Sequence, residues 1–395
     1  MTRHGTNKTG RSPALAALMA AMIVTTTGTE ANARNARHIG DSITIGGQRF
    51  VIWGSASTGI MPKGASISPD GKHLYVSNYG RRFLNAISVF EVPALKLIKK
   101  VNLKGDSIES ALSPDGKLLF STNKIGALLQ VFDAVTMQLL RSIHIGGFPK
   151  VIAVSPDGAW VYLSRWSGRG ISRVSTKTWQ QQHLTTHQIH PRGLAFCGQA
   201  PHLFVANNGT NTVTVVDPVA FKVIREIHVG RFPRHVACSH DGKMLYVTVM
   251  STSQVVAIDP NTDRILHRVS VGRAPKTVAV SFDDRFVYTA DYSGHSMSIV
   301  DTRTWKSKAL LLDIWKGSGL AVHPSDHWIY VTGWCSDDIW AVERIGLNDK
   351  PATPGPMRPR RRICRTCRSL DFMGCRTKPR RPRKRRHHHR PRRRQ

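Results

Sequence analysis

Seven copies of one short pattern constrain this chain more than any other feature. A serine that opens Ser-Pro-Asp-Gly, with an aromatic residue seven positions later, occurs at Ser68 (Tyr75), Ser113 (Phe120) and Ser155 (Tyr162). Degenerate copies follow at Cys197 (Phe204), Ser239 (Tyr246), Ser281 (Tyr288) and His323 (Tyr330). These landmarks are 45 residues apart once and 42 residues apart five times. A module of that length stacks on its copies to bury a continuous core. Each unit reads as four strands. The sixth starts with Val278-Ala279-Val280, and the fifth shows an aromatic and β-branched second strand, Tyr246-Val247-Thr248. Its third strand, Val255 to Ile258, ends at Asp259, and its fourth runs from Ile265 to Val271. Turn residues separate them. Four short strands per repeat, without helical spacing, predict the blade of a β-propeller.

Two further patterns support a closed ring. Two residues before each landmark stand Ser66, Ala111, Ala153, Ala195, Ala237, Ala279 and Ala321. All are small, as strands crowding a central axis require. The last unit stops near Glu343, after its third strand, while Phe50 to Thr58 precede the first unit in the register of the missing strand. The N-terminal strand is therefore expected to complete the last blade and remove two sheet edges.

The segment from Val271-Gly272-Arg273-Ala274-Pro275-Lys276 to Asp301, and the equivalent segment from Val229 to Asp259, resemble the YVTN-type β-propeller repeat. That family pairs Pro-x-x-Val-Ala-Val-Ser-Pro-Asp-Gly with a Tyr-Val-Thr-Asn strand. The resemblance covers about residues 50–346 and implies an all-β, seven-bladed propeller of four-stranded blades, of a kind often secreted, periplasmic or on the cell surface. The fourth unit departs from it, with Cys197-Gly198-Gln199-Ala200 in place of the turn. The resemblance implies no single chemistry, and the fold by itself assigns none.

Registering the repeats places charge on one face. Five residues before the landmarks come Lys63, Ile108, Lys150, Arg192, Arg234, Lys276 and Ser318, so five of seven are cationic and each of the five follows a proline. The loop between strands two and three shares that face and adds Arg81, Arg82, Lys124, Arg165 and Arg169, with Arg231 and Arg273 just ahead of strand one. Asp106, Glu109, Asp291, Asp337 and Asp338 oppose them. Eleven residues after the landmarks stand Tyr79, Lys124, Trp166, Asn208, Met250, Tyr292 and Trp334. Cations interleaved with aromatics at a channel mouth suit a polyanion, either single-stranded nucleic acid or an anionic glycan. The ligand-binding set is thus Lys63, Lys150, Arg192, Arg234 and Lys276 with Tyr79, Trp166, Tyr292 and Trp334. The opposite face is more balanced: Asp70, Asp115, Asp157 and Asp241 read as turn formers, as do the acids ending strand three.

The formal net charge of +32 is unevenly spread. Residues 351–395 carry +17 of it, in an Arg/Pro/His-rich tail that cannot bury a core and is expected to be disordered. Residues 1–33 read as a signal peptide, with Arg3, Lys8 and Arg11 before the apolar run Ala14 to Val24 and small residues at Ala31 and Ala33. Eleven apolar residues span about 16 Å as a helix, short of a bilayer core of roughly 30 Å. The propeller then occupies residues 34–350, without a transmembrane segment, in the periplasm or outside the cell. Cys197, Cys238 and Cys335 lie in the body and Cys364, Cys367 and Cys375 in the tail. Their pairing stays open.

No catalytic constellation stands out. His183, His187 and His190 lie on a fourth strand and its following turn rather than on one helical face. His235 and Glu109 share a repeat position four before the landmark but belong to different units across the mouth. No nucleophile elbow, P-loop, zinc-protease helix or haem motif is present, and the tail cysteines and His387 to His389 match no standard zinc spacing. A non-enzymatic, monomeric binding scaffold without cofactor or metal is the primary expectation. A protein-interaction propeller of the cell envelope, or a lactonase-like or dehydrogenase-subunit enzyme, are the alternatives. Intact mass of the exported chain is expected to show a start near Arg34. A mass that retains residues 1–33 would refute the leader.

Overall fold

In a computed structural model the described residues are 38–80, 86–103 and 105–356. The expected leader, most of the tail, and Arg81 and Arg82 lie outside them. Among the described residues the chain forms 29 strands, β1 to β29 in chain order, and no helix long and apolar enough to cross a membrane. The strands make seven antiparallel sheets. Blade one contains β3 (Pro62–Ile67), β4 (His73–Asn78), β5 (Ile87–Glu91) and β6 (Lys96–Val101). The innermost strands of the next five blades are β7 (Ser110–Leu112), β11 (Pro149–Val154), β15 (Pro191–Cys197), β19 (Pro233–Cys238) and β23 (Pro275–Val280). Blade seven starts with β27 (Gly317–Val322). Consecutive inner strands touch all the way round, including β27 against β3, so the ring is closed.

The landmark serine is a turn device. In blades one, two, three, five and six its hydroxyl donates to the aspartate two residues on, at 2.5–2.7 Å, and accepts the backbone N–H five residues on, at 2.9 Å. Each such turn joins strands one and two, and the hydroxyl bridges the bend from one side to the other. In blade four Cys197 takes the serine's place and forms a disulfide with Cys238 of blade five, Cα atoms 5.3 Å apart. Sequence had left that pairing open.

Closure follows the expected route and adds to it. β2 (Gln48–Ser57) pairs with β29 (Asp338–Gly346) from Gln48 opposite Gly346 to Ser57 opposite Asp338. Phe50, fully buried, meets Phe286 edge-on at 5.2 Å and so ties the N-terminal strand to blade six as well. A fifth strand was not foreseen: β1 (Ser42–Ile45) covers half the outer edge of β2. The chain beyond β29 covers the other half, with Gly355 N–H donating to the Trp53 carbonyl at 3.0 Å and Ser55 N–H to that of Pro356 at 2.8 Å. The last blade therefore presents no bare edge along β2.

Phe50→Ala removes a fully buried ring from the closure core and is expected to cost about 3–5 kcal/mol. Reversible denaturant unfolding measures it. A loss below about 1 kcal/mol would show that the ring closes without this contact.

Candidate functional site

A β-bulge determines where the cationic row points. In blade one Pro62 pairs with Asn78 and Gly64 with Ser77, which leaves Lys63 as an extra residue in the ladder. Lys276 is the extra residue between Pro275 and Thr277. The same one-residue excess follows Pro149, Pro191, Pro233 and Gly317. Such a bulge rotates the side chains it contains away from the strand's ordinary alternation. The strand-two hydroxyls of Ser164, Thr248 and Thr332 accept the bulge amides of Val151, His235 and Gly319 at 2.7–3.1 Å. The distortion thus leaves those amides paired.

Just ahead of each bulge is a second distortion. Met61, Phe148, His190, Phe232, Ala274 and Lys316 all adopt left-handed backbone conformations, with φ between 50° and 64°. Non-glycine residues are uncommon there. The carbonyl of each accepts an N–H from the strand two–three loop of its own blade, from Tyr79, Trp166, Asn208, Met250, Tyr292 and Trp334 respectively, at 3.0–3.1 Å. This clip holds the aromatic row over the cationic row. Lys150 and Arg192 lie 5.0 and 4.9 Å from the Trp166 ring. Lys276 lies 4.8 Å from Tyr292 and 4.0 Å from Trp334. Tyr79 packs edge-on against Trp334 and also carries Lys124, whose ammonium donates to its hydroxyl at 2.9 Å. The four aromatics expected at the mouth are therefore its ceiling, engaged with cations, rather than free stacking platforms.

Beneath them is a cavity of about 20 Å³, lined by Lys63, Arg192, Arg234 and Lys276 together with Glu109, His235, Ser318 and neighbouring backbone. By that measure a water needs roughly 10–15 Å³, so the space suits one or two waters or one small ion. Lys63, Arg192 and Lys276 are only 6%, 6% and 3% exposed. Sequence placed these side chains at a mouth. The structure draws them inside it, because the bulge turns them to the axis. Glu109 and His235 reach the same cavity instead of facing each other across a wide opening. Gly64, Gly193 and Gly319 share their repeat position, and a Cβ at Gly193 would come within 2.6 Å of the His235 Cα. The two large side chains fill room that bare neighbours leave open. The row reads Gly64, Glu109, Val151, Gly193, His235, Thr277 and Gly319, and that contrast of bulk was readable in the sequence.

The electrostatics are lopsided. None of the five expected cations forms a salt bridge among the described residues, and Glu109 is the one described carboxylate lining the cavity. Burial, then the charges of Arg192 and Lys276, holds Lys63 well below the usual lysine range. Burial and then Lys63 push Lys150 down to about 4. Lys276 and Arg192 are lowered by burial first and by Arg234 next, and burial takes Arg234 to about 10. His235 falls to about 4, chiefly through burial. Glu109 rises to about 7 because burial outweighs the pull of Lys63, Lys276 and Arg192.

The other acids on this face accept hydrogen bonds from within the protein. Asp106 accepts backbone N–H groups of Lys124 and Ile125, and Asp337 that of Met61. Asp291 accepts from Thr289, Ser296 and Ser298 at 2.6–2.8 Å, and burial raises it to about 6. Asp338 takes Ser336 and the Trp340 indole. Outside the cavity Arg169, Arg231 and Arg273 stand exposed. Of the three clustered histidines, His183 bonds Ser172 and His190 stacks on Trp166, and the described residues contain no group of three or more metal-ligating side chains.

Residues 186–345, the last four blades, match the family model described as YNCE-like beta-propeller. With seven blades in the ring, that match supports a seven-bladed propeller repeat family. A solved chain described as Kuenenia stuttgartiensis hydrazine synthase is similar at 18% identity, with a TM-score of 0.65 over 73% of this chain and 97% of that one. At that identity the likeness shows the fold alone. No curated protein matches the sequence.

The lowered lysines make a signed prediction. Between their folded values and about 10.5, the unfolded chain binds more protons than the folded one, so stability rises with pH. His235 acts in the same direction below about 6.5, and Glu109 in the opposite direction between about 4.5 and 7. From about pH 7.5 to 9.5 the lowered lysines, with Arg192 acting in the same direction, are expected to increase denaturation midpoints. Lys150→Met should reduce the slope, since an amine that is neutral in the folded chain and charged in the unfolded one is gone. A flat profile in the wild-type chain would contradict the burial of these ammonium groups.

Proposed function

We propose that this chain is an exported, non-enzymatic binding propeller whose cationic face takes a polyanion, single-stranded nucleic acid or an anionic glycan. One observation carries the reading: basic side chains from five blades converge at one end of the channel, and among the described residues none of them forms a salt bridge with a carboxylate. A positive field with little internal compensation attracts negative polymers and steers them to the mouth. Arg169, Arg231 and Arg273, exposed around it, are placed to take phosphates or sulfates along a strand. The rings of Trp166, Tyr292 and Trp334 already face cations, so charge contributes more than base stacking. Such binding is tolerant of sequence and steeply dependent on salt.

Charge reversal at the exposed positions tests this without disturbing the buried ones. The triple exchange Arg169→Glu, Arg231→Glu and Arg273→Glu is expected to weaken binding to oligo-dT or polyphosphate at least tenfold. It should also reduce the salt slope by about 2, at roughly 0.7 per phosphate contact on a single strand. Anisotropy titrations across a salt series, on the full chain and on a chain ending at Pro356, separate the face from the basic tail. If the triple exchange leaves the affinity of the shorter chain unchanged, or the shorter chain does not bind at all, the reading is rejected.

A further inference from the structure

We propose that the cavity lined by Lys63, Arg192, Arg234 and Lys276 is a site for one small dianionic oxyanion of the sulfate or phosphate type. The inference rests on the reading of this face as anion-binding, but it concerns a separate ligand held below the surface that a polymer would contact. Size is the first reason. A cavity of about 20 Å³ admits a single small ion, whereas a phosphodiester within a strand carries a sugar on two of its oxygens.

Unmet hydrogen-bonding capacity is the second reason. The Arg234 Nε is buried without a partner, and buried polar atoms in folded proteins are almost always paired. Among the described residues the Lys276 ammonium donates one hydrogen bond, to Ser318 at 2.5 Å. Donors that converge from four blades on one small space match an ion with acceptor oxygens on every side. Charge balance is the third. Two arginines line the site beside one carboxylate, and two lysines there can each gain a proton as an anion enters, so a dianion matches the charge the site develops better than a halide does.

Binding would then be linked to protons. The groups facing the site are Lys63, Lys150, Lys276, Arg192, Arg234, His235 and Glu109, with Lys124 and Tyr292 from the loops above. The lysines are held below their usual range by burial and by one another. A dianion among them favours their charged forms, so its binding takes up protons and weakens as pH rises. The arginines of the outer rim would show no such coupling.

Calorimetric titration of sulfate into the full chain tests this, since sulfate does not titrate near neutrality. Saturable one-to-one binding is expected, with heats that differ between buffers of unlike ionisation enthalpy and report uptake of at least about one proton per ion. Affinity should fall as pH is raised from about 6.5 to 8.5, and phosphate should compete. Lys63→Met and Lys276→Met, made separately, should each abolish the saturable heat without lowering the unfolding temperature, because each replaces a desolvated amine with an apolar side chain of similar length. The triple exchange at Arg169, Arg231 and Arg273 should leave it in place. Absence of saturable binding at millimolar sulfate would overturn the proposal. So would binding without proton uptake, or binding lost in the triple exchange and kept in the lysine variants, since either puts the ion on the exposed arginines. Loss of polymer binding in that exchange with sulfate retained supports both readings. Sulfate binding in a chain that binds no polymer would reject the polyanion reading alone.

Discussion

Closing a sevenfold ring forces residues at one repeat position toward a common axis. In an open array of blades Lys63, Lys150, Arg192, Arg234 and Lys276 would lie far apart along a surface. Closure through β2 and β29 brings their strands together, and the bulge at the head of each strand turns the side chains inward. Burial and mutual repulsion then follow from geometry, and both disfavour the charged forms. Everything distinctive about the channel, from its depressed lysines to the raised Glu109, descends from that one convergence.

The surrounding structure supports this arrangement rather than relieving it. Left-handed residues ahead of the strands hold the aromatic loops over the cations, so that Trp166, Tyr292 and Trp334 offer ring faces to Lys150, Arg192 and Lys276. Each such contact is worth about 0.5–2 kcal/mol, too little to offset the burial of an unpaired charge. The acids that could neutralise the cage are instead committed to turns, as with Asp106 and Asp337, or to hydroxyls, as with Asp291. A fold selected for stability alone would place apolar residues at these positions, as it does with Ile108 in blade two. Stability alone therefore does not account for basic residues at these positions.

Several functional features had signatures in the sequence that only became interpretable with coordinates. Glu109 and His235 share a position with three glycines, and that contrast of bulk marks where the channel narrows. The residue before each strand-one proline gives no hint in its type that it adopts a left-handed backbone: Met61, Phe148 and Ala274 are ordinary apolar residues. The partners of the acids on that face could not be read from sequence, because they are backbone amides and hydroxyls from other parts of the blade.

The repeat determined the architecture by itself. A four-strand period seen seven times, small residues at the axis and an unpaired last blade led to a closed seven-bladed ring before any coordinate was known. Local chemistry suffices there, because turn residues and alternating apolar positions act over neighbours in the chain. Tertiary structure decided the rest: the fifth strand β1, the return of residues 353–356 along β2, the Cys197–Cys238 pairing, and the depth of the cations. These depend on which distant segments meet and on a one-residue bulge that reverses the inside and outside of a strand. No periodicity along a single chain records that reversal, since it exists only in the register between two strands.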